Sequence, residues 1–447
     1  MASVTFLNHS CIRVESGATS ILCDPWFTGS AFDDGWRLLV EDSHNLADID
    51  YDWLWLSHEH PDHFSIPTLK QIGKRAQVIY QTTDDKKVKA YLGKQNDVTE
   101  IDNFEIRRCG DIDCQLFISD GYDSAMLFRL PSGHTVLNIN DCRVELGGLV
   151  ERIAAATGTL DLLAAQFSYA NWAGNAGDRA IPAYQHEQVM RRLERAIDVL
   201  KPKALLLFAS YVYFSHEENF YWNEHFWLSQ AVARLSAKVR VIVPHPDAVL
   251  DLGELDADLT AQNAEAVRFW TSQHATRRPV DQRKARPPLS ELAAQYAAFH
   301  EALWRDNDLD YARATSRGPL DLVVRLDDQN TTVRLELFSG EFVIAPGEDY
   351  DVALSSETLA MLFRNKFGRG TVTINGRVQF NYGRAYKFFA FFFAFYSNNI
   401  GKRMAPDGLS WSALRSIENT SVLDSIFSTT PEARTVCRAW LDGFIAS

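Results

Sequence analysis

Paired cysteines are missing from this sequence. Its cysteines show no CxxC spacing and no disulfide framework, and they stand at Cys11, Cys23, Cys109, Cys114, Cys142 and Cys437. A chain without such a framework is typical of a reducing compartment. The first residues, MASVTFLNHSCIRV, also lack the basic segment and the long apolar core of a signal peptide. We therefore expect a cytoplasmic protein.

Long hydrophobic runs are missing as well. The most apolar stretch is FFAFFFAFY at 388–396, which is far shorter than the roughly 20 residues that cross a bilayer. We expect a buried helix or strand there and no membrane span. A surface that faces a lipid or a partner is the alternative.

Positive charge is in the minority, since 45 Lys and Arg face 58 Asp and Glu and the net charge is −13. A general nucleic-acid binder needs an electropositive face, so the balance argues against a nucleic-acid partner. It remains compatible with an anionic substrate that a few local arginines hold. The sequence leaves homo-oligomerisation open.

The chain of 447 residues is long enough for two domains with sizeable cores. The segment SQHATRRPVDQRKARPPLS is basic, contains proline and is poor in apolar residues, which predicts a connector at 272–290. We therefore expect a first domain at 1–271 and a second domain at 291–447.

The order of apolar runs predicts the class of each domain. In the first, strand-like runs follow one another and then alternate with amphipathic helices, which predicts an α/β layered fold. In the second, strands and helices are mixed, which predicts an α+β domain. Its segment SSETLAMLFRNKFG reads as a helix with Ser355 or Ser356 as N-cap and Gly368 as C-cap. The next segment, GTVTINGRVQFN, reads as a hairpin with an Asn-Gly turn.

The densest cluster of chemical groups is LSHEHPDHFS at 56–65. The apolar run WLWL precedes it and predicts a buried strand that ends where the polar residues begin. Imidazoles and carboxylates packed this closely would be costly to bury without partners, and a divalent cation removes that cost. One loop of this spacing can serve two adjacent metal positions. The four candidate ligands in it are His58, His60, Asp62 and His63.

Further ligands must come from later strand ends. Three polar residues each follow an apolar strand directly, namely Asp120, Asp141 and His216. Each alone reads as a turn residue, whereas together with the loop they complete a dinuclear set. The segment SDGYDS also offers Asp123 as an alternative to Asp120. No histidine stands at nucleophile spacing from a serine, so covalent serine or cysteine catalysis finds no support.

HEHPDH resembles the HxHxDH signature of the metallo-β-lactamase fold. LNHSCIRVESGATSILCDPWFTGS resembles the opening of the branch that contains ascorbate-6-phosphate lactonase and CMP-N-acetylneuraminate hydroxylase. Similarity to the hydroxylase extends through FISDGYDSAMLFRLPSGHTVLNINDC, KPKALLLFASYVYFSHEENFYWNE and RGTVTINGRVQFNYGRAYKFFAFFFAFYS. The resemblance implies an αβ/βα sandwich with metals at one edge of two sheets, followed by the C-terminal α+β domain.

The resemblance also implies how the ligands divide. One metal would take His58, His60 and Asp120, the other Asp62, His63 and His216, with Asp141 as the bridge. Asp120 stands where the common pattern of the fold has a third His. Asp24, in LCDPW, would orient a histidine, and His9 would lie near the site. The predicted catalytic residues are Asp62, His216 and Tyr211.

Three functions remain open at this stage. Two His and one carboxylate on a metal resemble non-haem iron, which favours an iron-dependent oxygenase acting on a small organic substrate. The sequence has no CxH…CxxH Rieske pattern, so electrons would come from a separate ferredoxin or reductase. The second hypothesis is a dinuclear metallohydrolase for an ester, lactone, amide or phosphodiester. The third is a binding protein with a degenerate site. Two metal ions are expected, iron first, with zinc or manganese as alternatives.

Overall fold

The computed structural model describes residues 2–40, 44–71, 76–119, 123–280 and 286–445. The chain divides into two compact units. The first comprises 1–169, 186–214 and 223–278, and the second comprises 170–185, 215–222 and 279–447. Two short segments of the predicted first domain thus join the second unit. The predicted connector stays a prediction, because its residues 281–285 lie outside the described part of the chain.

The first unit is built mainly of short strands that are buried along most of their length, as expected from the apolar runs. Their bounds are β1 (Ser3–Asn8), β2 (Cys11–Glu15), β3 (Ser20–Cys23), β4 (Trp36–Leu38), β5 (Trp53–Trp55), β6 (Gln77–Gln81), β7 (Asp97–Ile101), β8 (Ile106–Cys109), β9 (Ile112–Ile118), β10 (Ser124–Arg129), β11 (Thr135–Asn140), β12 (Leu162–Gln166), β13 (Ala204–Phe208), β14 (Val212–Phe214), β15 (Arg240–Ile242) and β16 (Ala248–Asp251).

These strands form two mixed sheets with the same plan. One has the order β16-β1-β2-β3-β5-β6-β7 and the other the order β15-β13-β12-β11-β10-β9-β8. In each sheet, antiparallel pairs change to parallel pairs midway, at β3–β5 in one and at β11–β12 in the other. Strands β4 and β14 pair separately. The α/β class predicted from the sequence is confirmed.

Helices connect most of the parallel strands, because a parallel pair needs a crossover. The helices of this part of the chain are α1 (Ile66–Leu69), α2 (Lys87–Leu92), α3 (Leu149–Thr157), α4 (Ala180–Leu200), α5 (Leu228–Leu235) and α6 (Thr260–Thr276). Helix α4 ends just before Pro202, as the sequence predicts.

The two sheets meet at residues that are fully buried. The Trp55 and Phe128 rings pack edge to face with centroids 6.0 Å apart. Nearby, the Ser124 hydroxyl of one sheet donates to the Ser57 carbonyl that follows β5, at 2.6 Å. This contact brings the loop after β5 against the ends of β10 and β11, and it thereby positions the candidate site.

The second unit combines one sheet with many helices. Its strands are β17 (Asp321–Leu326), β18 (Thr331–Glu336), β19 (Phe342–Ile344), β20 (Val352–Leu354) and β21 (Gln379–Phe380), in the order β19-β18-β17-β20-β21. Its helices are α7 (Leu289–Asp306), α8 (Leu309–Ala314), α9 (Ser356–Arg364), α10 (Gly368–Asn375), α11 (Ala385–Phe391), α12 (Phe393–Asn398), α13 (Ser421–Thr429) and α14 (Pro431–Phe444).

Two local predictions in this unit need correction. Ser355 caps α9 as expected, but α9 ends at Arg364, and Gly368 opens α10 instead of closing α9. The predicted hairpin at Asn375-Gly376 is wrong, because GTVTIN is helical. Gly376 has φ +70° and caps the C-terminus of α10, where an added Cβ would collide with Trp222. A glycine with a left-handed backbone occurs both in hairpin turns and at helix C-termini, so Asn-Gly fits either structure.

The aromatic run at 388–396 forms α11 and α12, and its phenylalanines are buried, as predicted. They pack with Tyr296 and Phe299 of α7. Among the residues that the structure describes, we find no helix with the length and apolarity needed to cross a bilayer.

Candidate metal centre

Three turns of the first unit place polar residues at strand ends with a left-handed backbone. His9 follows β1 with φ 42°, Asp24 follows β3 with φ 42°, and Asn140 ends β11 with φ 36°. Such values are uncommon outside glycine and cost free energy, so they persist only where the surroundings enforce them. All three turns border the loop that follows β5.

That loop is closed by local hydrogen bonds. The amides of His63 and Phe64 both donate to the His60 carbonyl, and the Ser65 side chain caps α1. His58 and His63 are almost fully buried, and Asp62 is only 4% exposed. The side chains of the four candidate ligands in this loop, His58, His60, Asp62 and His63, are therefore held close together on one tight turn.

Asp24 and Ser57 orient the histidines. Asp24 accepts hydrogen bonds from the Ser57 amide at 2.7 Å and from the Ser57 hydroxyl at 2.6 Å. Its Oδ2 also accepts from His63 Nδ1 at 2.9 Å, and the Ser57 hydroxyl lies 2.9 Å from His58 Nδ1. A histidine that gives its Nδ1 proton to such a partner keeps the lone pair of Nε2 for a metal. The contact expected of Asp24 is present.

The Nε2 atom of His63 faces carboxylates. It lies 3.4 Å from Asp62 Oδ2 and 3.8 Å from Asp141 Oδ2. A lone pair opposite anionic oxygens is repulsive unless a proton or a cation lies between them. Ligands that are about 2.1 Å from one metal stand roughly 3 to 3.5 Å apart, so the spacing suits a metal.

A second cluster lies beside the first. His58 Nε2 is 2.9 Å from His60 Nδ1, 3.9 Å from Asp123 Oδ1 and 3.7 Å from Asp141 Oδ2. Asp141 therefore faces both His58 and His63. Within the described residues, three groups have ligand atoms within 4.8 Å of one another, namely His58–His60–Asp123, His58–His63–Asp141 and His9–Asp62–His63.

The charges and the unsatisfied atoms of the site fit divalent cations. Buried Asp62 Oδ1 and Asp141 Oδ1 have no hydrogen-bond partner in the described structure, which is costly for a carboxylate. Four carboxyl groups, from Asp24, Asp62, Asp123 and Asp141, surround the imidazoles here. Two divalent cations would balance four negative charges, and the donor set of imidazole and carboxylate suits iron, zinc or manganese.

The protonation of the site follows the same electrostatics. Burial alone would lower the pKa of His63, but the carboxylates of Asp62, Asp141 and Asp24 raise it to about 10. Burial alone would raise the pKa of Asp62, but His63 and His9 hold it well below its usual range. Burial and the Asp141 charge raise the pKa of Asp123 to about 7. In the metal-free protein, protons thus hold together groups that a metal would hold.

His58 and His60 behave differently from His63. Burial lowers the pKa of both imidazoles, and for His60 the neighbouring His58 lowers it further. Both are therefore neutral near pH 7, which is the form that binds metals.

The structure brings together five of the predicted ligands, namely His58, His60, Asp62, His63 and Asp141. Asp120 lies outside the described residues. The alternative, Asp123, groups with His58 and His60. Their roles as ligands stay predictions.

His216 belongs to the second unit. It lines a cavity of about 500 Å3 together with Glu218 and Arg377. Its Nδ1 accepts a hydrogen bond from the Glu218 amide at 3.2 Å. In a neutral ring this leaves the proton on Nε2, which is then a donor and not a ligand. No group of potential ligands within the described residues includes His216.

Tyr211 lies in the core of the first unit. Its hydroxyl donates to the Leu207 carbonyl at 3.0 Å, and its ring stacks on Trp270 with centroids 4.0 Å apart. The side chain is fully buried, and burial raises the pKa of its hydroxyl. These contacts describe packing, and the catalytic role stays a prediction without a supporting contact here.

Sequence reasoning missed Asn140 and Ser57 among the residues that hold the ligands in place. The Asn140 side chain accepts from the Asp141 amide at 2.7 Å and donates to the Ser124 carbonyl at 3.1 Å. The motif NIND, with a polar residue beside the ligand at a strand end, was the available signal. Ser57 offered none beyond its position directly before HEHPDH.

Part of the chain is similar to known proteins. Residues 3–116 match the family model of the beta-lactamase superfamily domain. The expected resemblance is confirmed. Cytidine monophosphate-N-acetylneuraminic acid hydroxylase of Mus musculus is 27% identical over 279 residues, which cover 58% of this chain and 48% of the relative. The hydroxylase of Danio rerio is 32% identical over 151 residues, which cover 31% of this chain and 26% of the relative.

The chain therefore spans about half, or less, of the length of these curated relatives. A solved structure, that of CmlA, a diiron beta-hydroxylase from Streptomyces venezuelae, aligns with a TM-score of 0.39 and 16% identity, over 56% of this chain and 54% of that chain.

Proposed function

We propose that this protein is a metal-dependent oxygenase with a dinuclear, iron-binding centre that hydroxylates a small organic substrate. The observation that carries the proposal is the His58–His60–Asp123 group. Two imidazoles and one carboxylate, with positions left for other ligands, are typical of non-haem iron sites that use oxygen. The similarity to a hydroxylase along 58% of the chain supports the same reaction class.

The residues of the chain would prepare such a site. Asp24 and Ser57 fix the rings of His58 and His63, so that both Nε2 atoms point to the same space. Trp26 and Phe32 pack edge to face against His9 and His60 and keep bulk water from the imidazoles. Iron bound there would supply the activation of molecular oxygen.

The reaction also defines a partner. Hydroxylation of one C–H bond consumes one O2, two electrons and two protons, and it releases one water molecule. The sequence has no CxH…CxxH pattern for a Rieske cluster, so we propose that a ferredoxin or a reductase donates the electrons. Cys23 and Cys142, close to the site, stay thiols because burial raises the pKa of both.

A dinuclear hydrolase is the second candidate. Asp141 Oδ2 faces both His58 and His63, at 3.7 and 3.8 Å, which would let one carboxylate bridge two metals. Two metals held by these residues would supply an activated water for the hydrolysis of an ester, lactone, amide or phosphodiester.

The test separates the two candidates by metal and by oxygen. The purified protein is first analysed for bound metals, then stripped, loaded with ferrous iron without oxygen, and exposed to oxygen with and without candidate substrates. We expect about two irons per chain and oxygen uptake that depends on substrate and reductant. Zinc as the bound metal, together with turnover of esters or phosphodiesters and no oxygen uptake, would refute the oxygenase.

Variants assign the carboxylate of the first position. Asp123→Ala and Asp120→Ala are compared for iron content with Asp113→Ala, whose side chain is 41% exposed on β9 and pairs with Arg108. We expect loss of iron in Asp123→Ala and none in the Asp113 control. If only Asp120→Ala lost iron, Asp120 and not Asp123 would be the carboxylate ligand of the first metal position.

A further inference from the structure

We propose that His9, and not His216, supplies the second imidazole of the second metal position, together with Asp62, His63 and the bridging Asp141. The inference rests on the proposed dinuclear function. It assigns a ligand from the first turn of the chain, which lies outside the HEHPDH loop and outside the later strand ends.

Distances within the first unit carry the assignment. His9 Nε2 and His63 Nε2 lie 3.3 and 3.4 Å from the same oxygen, Asp62 Oδ2. The three ligand atoms are all within 4.8 Å of one another. A point equidistant from three atoms so arranged lies about 2.0 to 2.4 Å from each, which is the range of metal–nitrogen and metal–oxygen bonds.

Counting ligands leads to the same residue. The first position would have His58, His60 and Asp123, with Asp141 facing His58 as the proposed bridge. Without His9, the described residues of the first unit would give the second position only Asp62 and His63, with Asp141 facing His63 as the bridge. His9 raises that number to four, so each metal would hold four protein atoms and leave room for exogenous ligands.

The turn that carries His9 is held rigidly. Its backbone is left-handed at φ 42°, its amide donates to the Asn8 side chain at 3.0 Å, and its carbonyl accepts from the Ala209 amide at 2.8 Å. The side chain is 1% exposed. A buried histidine in a costly conformation, tied down on both sides, is pre-organised for a specific contact.

A simple hydrogen bond from His9 to Asp62 is the competing explanation. Replacement of His9 by glutamine and by glutamate distinguishes metal ligation from a hydrogen bond. Glutamine can still donate a hydrogen bond to Asp62 but is a weak metal ligand, whereas glutamate binds metals and cannot donate. Ligation therefore predicts that His9→Gln loses metal and that His9→Glu retains it. A hydrogen bond predicts the reverse.

The experiment measures metal stoichiometry on the full chain with Co2+ as the probe. Metal-free wild type, His9→Gln, His9→Glu, His216→Gln and the turn control His134→Gln are titrated, and the visible absorption of bound Co2+ reports ligand number and geometry. Circular dichroism of each metal-free variant checks folding. If His9→Gln fails to fold, the comparison of His9→Glu and His216→Gln with wild type decides.

We expect about two Co2+ per chain for wild type, His216→Gln, His134→Gln and His9→Glu, with an altered spectrum in the last, and about one for His9→Gln. Two Co2+ with an unchanged spectrum in His9→Gln, loss of one in His9→Glu, or loss of one in His216→Gln would each overturn the role of His9. Failure of wild type to bind two metals would instead refute the dinuclear function itself.

Discussion

Replacing Asp24 by asparagine should disable the site without touching a ligand. The amide can still accept from the Ser57 amide, which lies 2.7 Å from Asp24 Oδ1. Its NH2 group, however, would take the place of Oδ2, where the Ser57 hydroxyl and His63 Nδ1 now donate at 2.6 and 2.9 Å. Donor would then face donor at both contacts. A neutral His63 would then carry its proton on Nε2 and would lack the lone pair that a metal needs.

The contacts of Asp24 set the expected losses of folding stability and of metal affinity. Two hydrogen bonds to a buried charged group are lost, and each contributes about 1.5 to 3 kcal/mol. Part of that loss is offset because a carboxylate no longer has to be buried. We therefore expect the free energy of unfolding of the metal-free protein to fall by about 3 kcal/mol. Removal of a group that orients a ligand should weaken metal binding about 10- to 100-fold.

Two assays check these values on the same preparation. Urea denaturation of the metal-free protein gives the change in unfolding free energy, and competition with a chelator gives the metal affinity. Asp113→Asn is the matched control, because this surface carboxylate should change stability by less than about 0.5 kcal/mol. Metal affinity of Asp24→Asn within about threefold of wild type would refute the argument that Asp24 sets the protonation of His63.

Three further outcomes follow from the structure. Because the pKa of His63 is raised to about 10 in the metal-free fold, its contribution to stability is present below the ordinary value near 6.5 and is lost as the pH rises toward 10. A metal must displace that proton, so chelator competition should give about tenfold tighter binding per pH unit in this window, and a flat profile would contradict it. Arg377 is 1% exposed and binds Glu218 at 2.9 Å, so Arg377→Met should cost about 3 to 5 kcal/mol in urea denaturation, and a loss below about 1 kcal/mol would contradict the pairing. Phe391 is fully buried, so Phe391→Ala should lower the free energy of unfolding by about 3 to 5 kcal/mol in the same assay. Phe367→Ala is the control, because this side chain is 52% exposed, and it should cost less than about 1 kcal/mol. Equal losses of stability in the two variants would count against a packed aromatic core.

The metal loop could be predicted because its chemistry is local. His58, His60, Asp62 and His63 are close in any compact conformation, since few residues separate them. The apolar run before the loop predicts a buried strand, and the strand end then exposes the polar groups at one edge of a sheet. The choice of Asp141 rests on the same reasoning, and the structure places it against His58 and His63.

The helix α10 marks a place where local signals mislead. Its sequence GTVTIN is rich in β-branched residues, and Asn-Gly commonly forms a hairpin turn. In the structure Val372 and Asn375 are buried, and Gly376 caps the helix. The left-handed glycine is common to both structures, so the dipeptide alone cannot distinguish them, and tertiary burial overrides the strand propensity.

The sequence by itself determined the alternation of strands and helices, the polar loop at a strand end and the absence of a run long enough to span a bilayer. These features depend on the periodicity of apolar residues and on the spacing of polar residues, which are properties of neighbours along the chain. Only the tertiary structure decided that Asp24 contacts His63 and Ser57 contacts His58, that Asp123 faces His58 and that His9 reaches Asp62. It also decided that His216 lies with Glu218 in the second unit. Most of these residues are far apart in sequence, so their meeting depends on how two sheets pack and where each strand ends. Angstrom distances between side chains are set by that packing, and no local pattern encodes them.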